Sequence, residues 1–177
     1  MKTLLIILLA VAALAGILGM FGPKTSHVER KTMIAAPSNV VWDHVSSLRD
    51  IDKWSPYHDM DQTTTVTFEG TDGEVGSKSI WDGKESGKGE QEITEVTPGK
   101  HLGMRMRIST PIPIEAAAAF DVIPMGDSTS VTWTYDRKNN FFGRIEAVFK
   151  DPDITLGPIY SSGLANLKRV CEVDGAQ

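Results

Sequence analysis

The chain has 177 residues, of which 41% are hydrophobic and 23% charged, a composition typical of one globular domain rather than of a disordered or fibrous protein. Its formal net charge is −5, which argues against a nucleic-acid-binding protein, because such proteins need a basic face. With Cys171 as its single cysteine, the chain has neither an internal disulfide nor a cysteine-rich zinc site.

The chain begins with an uncharged apolar run, Leu4 to Phe21, which approaches the roughly 20 residues that span a bilayer. A cleaved secretory signal is the alternative, since residues 13–15, Ala-Leu-Ala, have the form of a cleavage site. Because the run continues past that site, we expect residues 1–23 to be a membrane anchor and residues 24–177 to be a domain on the extracytoplasmic side. Cleavage would instead give a secreted or periplasmic domain.

The domain opens with a strand followed by short helices. Residues 27–36 alternate between two faces, the pattern of an edge strand. Pro37 suits the first turn of a helix, and apolar residues recur at helical spacing from there to Leu48. A second helical turn is expected between Asp50 and Lys53.

From Thr63 onward the apolar period changes to two, and glycine and proline turns separate the segments. In one segment, for example, Leu102, Met104, Met106 and Ile108 alternate with more polar residues. This alternation indicates strands with one solvated face and one covered face. The six predicted strands are residues 63–70, 77–83, 89–96, 101–108, 113–123 and 130–135.

The C-terminal region supplies the element that covers the sheet. Residues 139–149 predict a short helix. Asp151 as N-cap and Pro152 at the first helical position then begin a long helix with an apolar stripe from Leu156 to Cys171. The predicted class is α+β, with this helix lying across a bent antiparallel sheet.

Four stretches carry a family resemblance: VERKTMIAAPSNVVWDHVSSLRDIDKWSPY, the GxVGxxxxW pattern at Gly73 to Trp81, TSVTWTY, and GLANLK at Gly163 to Lys168. Together with the order of elements, they resemble the SRPBCC or START-like superfamily over nearly all of residues 27–173. More narrowly, the chain is similar to the bacterial polyketide cyclase/dehydrase group, in which a hydrophobic leader is common. The resemblance implies a helix-grip fold, in which a seven-stranded antiparallel sheet wraps around the C-terminal helix and encloses an apolar cavity.

Several residues are compatible with such a cavity. Ala116 to Phe120 form a strand with little side-chain volume, and Gly157 and Gly163 remove side chains from the long helix. Close packing of helix on sheet is the alternative explanation for these small residues. The predicted cavity residues are Trp54, Tyr57, Trp81, Met104, Met106, Ala116, Ala118, Phe120, Trp133, Gly157, Tyr160 and Gly163.

The segment WSPYHDMD, residues 54–61, holds the residues most typical of catalysis or metal binding. A metal site or an acid/base pair would use His58, Asp59 and Asp61, yet these lie in a stretch without helical spacing and without a histidine pair elsewhere. We therefore expect a solvated loop at the rim of the cavity. No catalytic residue, cofactor or metal is predicted.

The remaining polar candidates also have structural interpretations. His44 is expected to be a partly buried, satisfied histidine, whereas His27 and His101 have no evident partner in the sequence. Arg105 and Arg107 are expected on the solvated face of their strand, and Cys171 as a packing residue.

Three functional classes are compatible with this pattern. A membrane-tethered domain that binds a lipid or another small hydrophobic molecule is favoured, because the sequence lacks a recognisable nucleophile or metal cluster. A cyclase/dehydratase-like enzyme that uses the same cavity is the main alternative, and a domain that binds another envelope protein is a third.

Overall fold

The body of the protein is an antiparallel sheet wrapped against a long C-terminal helix in the computed structural model, which describes residues 1–110 and 112–175 but not the side chains of residues 58 and 59. The described residues form seven strands in the order β1-β7-β6-β5-β4-β3-β2. The strands are β1 Thr25–Ile34, β2 Thr65–Glu69, β3 Lys78–Gly83, β4 Gly87–Thr97, β5 His101–Thr110, β6 Ile114–Met125 and β7 Ser128–Lys138.

The described residues also form six helices. They are α1 Lys2–Phe21, α2 Ser38–Val45, α3 Leu48–Trp54, α4 Tyr57–Met60, α5 Phe141–Phe149 and α6 Pro152–Asp174. The helix-grip fold predicted from the sequence is thus confirmed. One local prediction is wrong, because residues 57–60 form a helical turn rather than an irregular loop.

Strands β2 to β7 follow one another as a meander, and β1 closes the sheet by pairing with β7. Gly99 and Gly126 have positive φ angles of 74° and 68° in the β4–β5 and β6–β7 turns, a conformation that other residues rarely adopt. Both turns coincide with the breaks expected from the sequence.

Helix α6 packs its buried side on the inner face of the sheet. The Asp151 side chain accepts a hydrogen bond from the Asp153 N–H at 2.9 Å, which caps the first turn. Arg30 on β1 pairs with Asp153 at 2.7 Å and fixes that end of the helix to the sheet. The buried residues of α6 are Gly157, Tyr160, Gly163, Leu164, Leu167 and Cys171.

Helix α1 stands apart from this core. It is long and apolar enough to cross a membrane, with a mean hydropathy of 2.9 and only 6% of its span buried, although a signal sequence would have the same properties. Its C-terminal end packs on α5, where a side chain at Gly19 would overlap the ring of Phe141. The guanidinium group of Arg144 also donates to the carbonyls of Gly19 and Met20, both at 3.4 Å.

Candidate ligand cavity

A cavity of about 470 Å³ lies between the inner face of the sheet, α6 and the α3–α4 segment. Its wall includes fully buried residues, such as Phe120 and Tyr160, and strongly exposed ones, such as Met60, so it reaches from the core to the surface. Ligand pockets in proteins commonly measure about 300–1,000 Å³. The cavity is therefore of a size that holds a small molecule.

Aromatic rings form the inner end of the cavity. Trp133 on β7 stacks on Tyr160 of α6, with ring centroids 3.9 Å apart and planes 17° from parallel. The ring of Phe120 on β6 lies 5.0 Å from that of Trp133. Trp54 packs edge-on against Phe120 and Trp133, and its Nε1 donates to the His44 carbonyl at 2.9 Å. Each buried polar group of this kind needs such a partner.

Three phenol groups, those of Tyr57, Tyr135 and Tyr160, meet on the cavity wall. Burial raises the pKa of Tyr57 to about 12 and also raises the pKa values of Tyr135 and Tyr160, and the three groups interact electrostatically. Tyr57 lines this wall and is 37% exposed. All three phenols are therefore neutral at physiological pH, so each is able to donate a hydrogen bond and none is a base.

Charged groups lie toward the mouth of the cavity, at the junction of α5 and α6. Arg137 on β7 pairs with Glu146 of α5 at 3.1 Å and donates to the side chain of Asn139 at 2.7 Å. Lys150, which follows α5, also lines the cavity. The polar part of the wall is thus near the surface and the apolar part is inside.

Asp61 holds the opposite side of the mouth. Its buried carboxylate accepts hydrogen bonds from the N–H groups of Thr63, Glu85 and Ser86, each at 2.9 Å, and from the hydroxyls of Thr63 and Ser86. These bonds hold the pKa of Asp61 far below its usual range, and the bond from the Thr63 side chain lowers this pKa most. The carboxylate therefore anchors the β3–β4 turn and is a poor proton acceptor.

The possible metal ligands in WSPYHDMD are His58, Asp59 and Asp61. The side chains of His58 and Asp59 lie outside the described residues, and Asp61 is fully engaged with the β3–β4 turn. Among the side chains that the structure describes, no three His, Cys, Asp or Glu residues come together as metal ligands would.

The structure places seven of the twelve predicted cavity residues on the wall. These are Tyr57, Trp81, Met106, Ala118, Phe120, Trp133 and Tyr160. That they contact a ligand stays a prediction.

The other five lie behind the wall or in helix packing. Trp54, Met104 and Ala116 are buried in the core beneath it. Gly157 and Gly163 serve close packing, since a side chain at Gly157 would overlap the guanidinium group of Arg30, and one at Gly163 would overlap the Trp133 ring. For these two glycines the packing alternative is the one that the structure supports.

Other wall residues were not singled out from the sequence. Tyr135 and Arg137 share the inward face of β7 with Trp133, and Leu156 belongs to the apolar stripe of α6, so the strand and helix periods contained a signal for all three. Residues such as Glu85 and Ser86 join the wall only because the β3–β4 turn folds back toward α4, and no local pattern marks them.

Two expectations about histidines are wrong. His27 Nδ1 lies 2.8 Å from Asp136 and His101 Nδ1 lies 2.7 Å from Asp121, because each carboxylate stands on the neighbouring strand in register. His44 is half-buried as expected and contacts Asp174 at 2.9 Å.

The two arginines of β5 form ion pairs across the sheet. Arg105 pairs with Glu92 at 2.9 Å and Arg107 with Glu90 at 2.7 Å. Both arginines are half-buried and alternate along β5 with Met104 and Met106, so these pairs belong to the outer face of the sheet.

The sequence profile of the family described as polyketide cyclase/dehydrase and lipid transport matches residues 25–172. This match confirms the resemblance found in the sequence. Among curated proteins, none matches the chain significantly.

Solved structures share the fold at low identity. A protein from Thermobifida fusca is 22% identical, with a TM-score of 0.63 over 82% of this chain and 92% of that one. Norcoclaurine synthase from Thalictrum flavum is 16% identical, with a TM-score of 0.64 over 82% and 92% of the two chains. Major latex-like protein 151 from Panax ginseng is 18% identical, with a TM-score of 0.59 over 88% of this chain and all of the other (100%).

Proposed function

Because the chain belongs to the polyketide cyclase/dehydrase and lipid transport family, we propose that it binds a lipid or another small hydrophobic molecule in the cavity while α1 holds it at a membrane. The observation that carries this proposal is the cavity itself, with aromatic rings at its inner end and neutral phenols on its wall. Apolar wall surface supports binding because each Å² removed from water contributes about 25 cal/mol.

The phenols indicate what kind of ligand fits. Among the described residues, the hydroxyls of Tyr57 and Tyr160 have no hydrogen-bond partner, so both are available to a ligand. A neutral phenol donates to an acceptor oxygen at little electrostatic cost to either group. The ligand that matches this wall is an apolar molecule with an oxygen acceptor, such as an acyl chain with a carbonyl or carboxyl end.

The tether restricts the ligand further. A domain held at a membrane searches a thin layer, which raises its effective concentration toward membrane-resident molecules. Retention of α1 is therefore part of the proposal, and carbonate washing of membranes from cells that make the full-length protein tests it. A protein that stays in the washed membrane with residues 1–23 intact supports the tether, and a mature chain that begins near Gly16 contradicts it.

The ligand itself is tested by solvent extraction and mass spectrometry of the full-length protein purified from membranes. Ala118→Trp places an indole in the cavity, whereas the matched variant Ala117→Trp places it on the exposed face of the same strand. We expect wild type and Ala117→Trp to carry the same apolar molecule and Ala118→Trp to lose it. An empty wild-type protein that takes up nothing from a lipid extract would contradict ligand binding.

The enzyme alternative makes a different prediction for the same experiment. The depressed pKa of Asp61 and the raised pKa values of the phenols leave these groups poorly suited to remove a proton from a substrate near neutral pH. Extracted molecules that differ by the loss of water from those in the surrounding lipids would favour a cyclase/dehydratase-like activity over simple binding.

A further inference from the structure

Helix α5 presents an apolar face that the rest of the described protein covers only in part, since α1 contacts Phe141 and Ile145 is half-buried. At 100° per residue, Phe141, Phe142, Ile145, Val148 and Phe149 fall on one side of this nine-residue helix. Phe142 is 77% exposed and Phe149 is 71% exposed. Ile154, in the first turn of α6, is also 74% exposed. A contiguous apolar surface of this kind marks an interaction site.

The polar side of α5 is tied to the body of the domain. Glu146 pairs with Arg137, and Arg144 donates to the carbonyls at the end of α1. The side chain of Asn140 caps the helix by accepting from the Gly143 N–H at 2.9 Å. The helix is therefore held in one orientation, with its apolar face directed away from the sheet.

A buried polar network joins α5 to the exit of α1. Asn139, two residues before α5, donates its backbone N–H to the Lys24 carbonyl at 2.9 Å and its side-chain amide to the Pro23 carbonyl at 3.0 Å. The Ser26 hydroxyl completes the network beside the Asn139 side chain. The segment that leaves α1 therefore lies against the residues that lead into α5, so the end of α1 and the apolar patch are adjacent.

The mouth of the cavity opens beside the same helix. Glu146 of α5, Lys150 after it and Thr155 in the first turn of α6 all line the cavity. Met60 lines the opposite rim and is strongly exposed. A ligand that enters between these rims passes directly along the α5–α6 junction.

We propose that the apolar face of α5 inserts into the surface of the bilayer that α1 crosses, so that the cavity mouth faces the acyl chains and a ligand moves between bilayer and cavity without crossing water. The proposal rests on the membrane tether of the proposed function. A bilayer is the occupant that the structure favours because the patch is continuous with the end of α1, and because Lys24 and Lys150 flank it with the positive charge that anionic lipid headgroups attract.

Insertion is tested on the full-length protein in phosphatidylcholine/phosphatidylglycerol vesicles, with an environment-sensitive dye on single introduced cysteines. The sites are Phe142→Cys and Phe149→Cys, and Val75→Cys is the control, because Val75 is 63% exposed but lies between β2 and β3. Native Cys171 is buried, and burial raises its pKa to about 12, so it does not label under mild conditions.

We expect blue-shifted dye emission and strong quenching by nitroxide-labelled acyl chains at positions 142 and 149, with neither effect at position 75. Equal emission and equal quenching at all three positions would overturn the insertion. This result does not depend on whether the cavity holds a ligand, so it separates the present proposal from the proposed function.

The route is tested by the rate at which cis-parinaric acid moves from vesicles into the cavity, detected as energy transfer from the tryptophans beside it. We expect Phe142→Ser/Phe149→Ser to slow this transfer about tenfold without changing the final amount bound. The reason is that these side chains contribute to membrane binding and do not line the cavity. Val75→Ser should transfer at the wild-type rate. Equal rates in all three proteins overturn the route, and a wild-type protein that binds no cis-parinaric acid contradicts both the route and the proposed function.

Discussion

Asp61 illustrates at the residue scale how a candidate catalytic group becomes a structural one. Its carboxylate accepts from three backbone N–H groups and two hydroxyls, which closes the β3–β4 turn over the side of the cavity. Residue type alone marked it as possible chemistry. Thr63 is a local partner, but the other donors, Glu85 and Ser86, lie more than 20 positions later in the chain. The distinction is one that only tertiary structure makes.

We predict that Asp61→Asn lowers the free energy of unfolding at pH 7, and that the difference from wild type shrinks as the pH falls. The pKa of Asp61 is lower in the folded protein than the ordinary value of about 3.9, so its stabilising effect is complete above that value and is lost as the pH falls toward the folded pKa. Urea unfolding at pH 7 and near pH 3 measures both differences. Asp82→Asn, in the same hairpin but exposed and paired with Lys88, is the control and should change stability little.

Tyr160 provides the second test at this scale. Tyr160→Phe keeps the ring that stacks on Trp133 and removes the phenol oxygen from the cavity. We predict unchanged folding and an affinity for cis-parinaric acid that falls by up to about tenfold, the range of one hydrogen bond. Titration monitored by energy transfer from tryptophan measures this affinity. An unchanged affinity would show that the polar end of the ligand lies elsewhere.

At the scale of elements, the sequence predicts strands and long helices well because their hydrophobic periods are local. The alternation in β7 and the cap at Asp151 each depend on residues close together in the chain, and the structure confirms both. Strand β5 also forms as predicted, although its burial does not alternate. The partners of His27 and His101 were missed because strand register brings together residues 109 and 20 positions apart. The role of the glycines on α6 was ambiguous in the sequence, because a cavity and close packing both require a small residue.

Helix α6 makes the packing role of Gly163 measurable. Alanine has the higher helix propensity by up to about 1 kcal/mol, yet its Cβ would lie 2.6 Å from the Trp133 ring and 3.0 Å from Pro56. We predict that Gly163→Ala destabilises the protein by about 1–3 kcal/mol in denaturant unfolding, the range for overpacked cores. Ser162→Ala, at the exposed neighbouring position, should be neutral or slightly stabilising. A stabilised Gly163→Ala protein would contradict the packing role.

At the scale of the whole molecule, the arrangement joins three features along one side. The end of α1, the apolar face of α5 and the mouth of the cavity are linked through Asn139 and Arg137. The apolar run and the family resemblance are visible in the sequence, but no sequence pattern indicates that α5 lies between α1 and the cavity. That placement turns a general lipid-binding hypothesis into a specific one, in which access to the cavity is from the membrane side.

Photo-crosslinking in native membranes tests the central claim most directly. Benzoylphenylalanine replaces Met106, whose side chain lines the cavity, or Ala117, which faces outward on the neighbouring strand, in the full-length protein. After irradiation, intact mass spectrometry identifies what is attached. The account predicts an adduct with the mass of a lipid or another small hydrophobic molecule at position 106 and none of that mass at position 117. The same lipid adducts at both positions, or no small-molecule adduct at position 106, would contradict it.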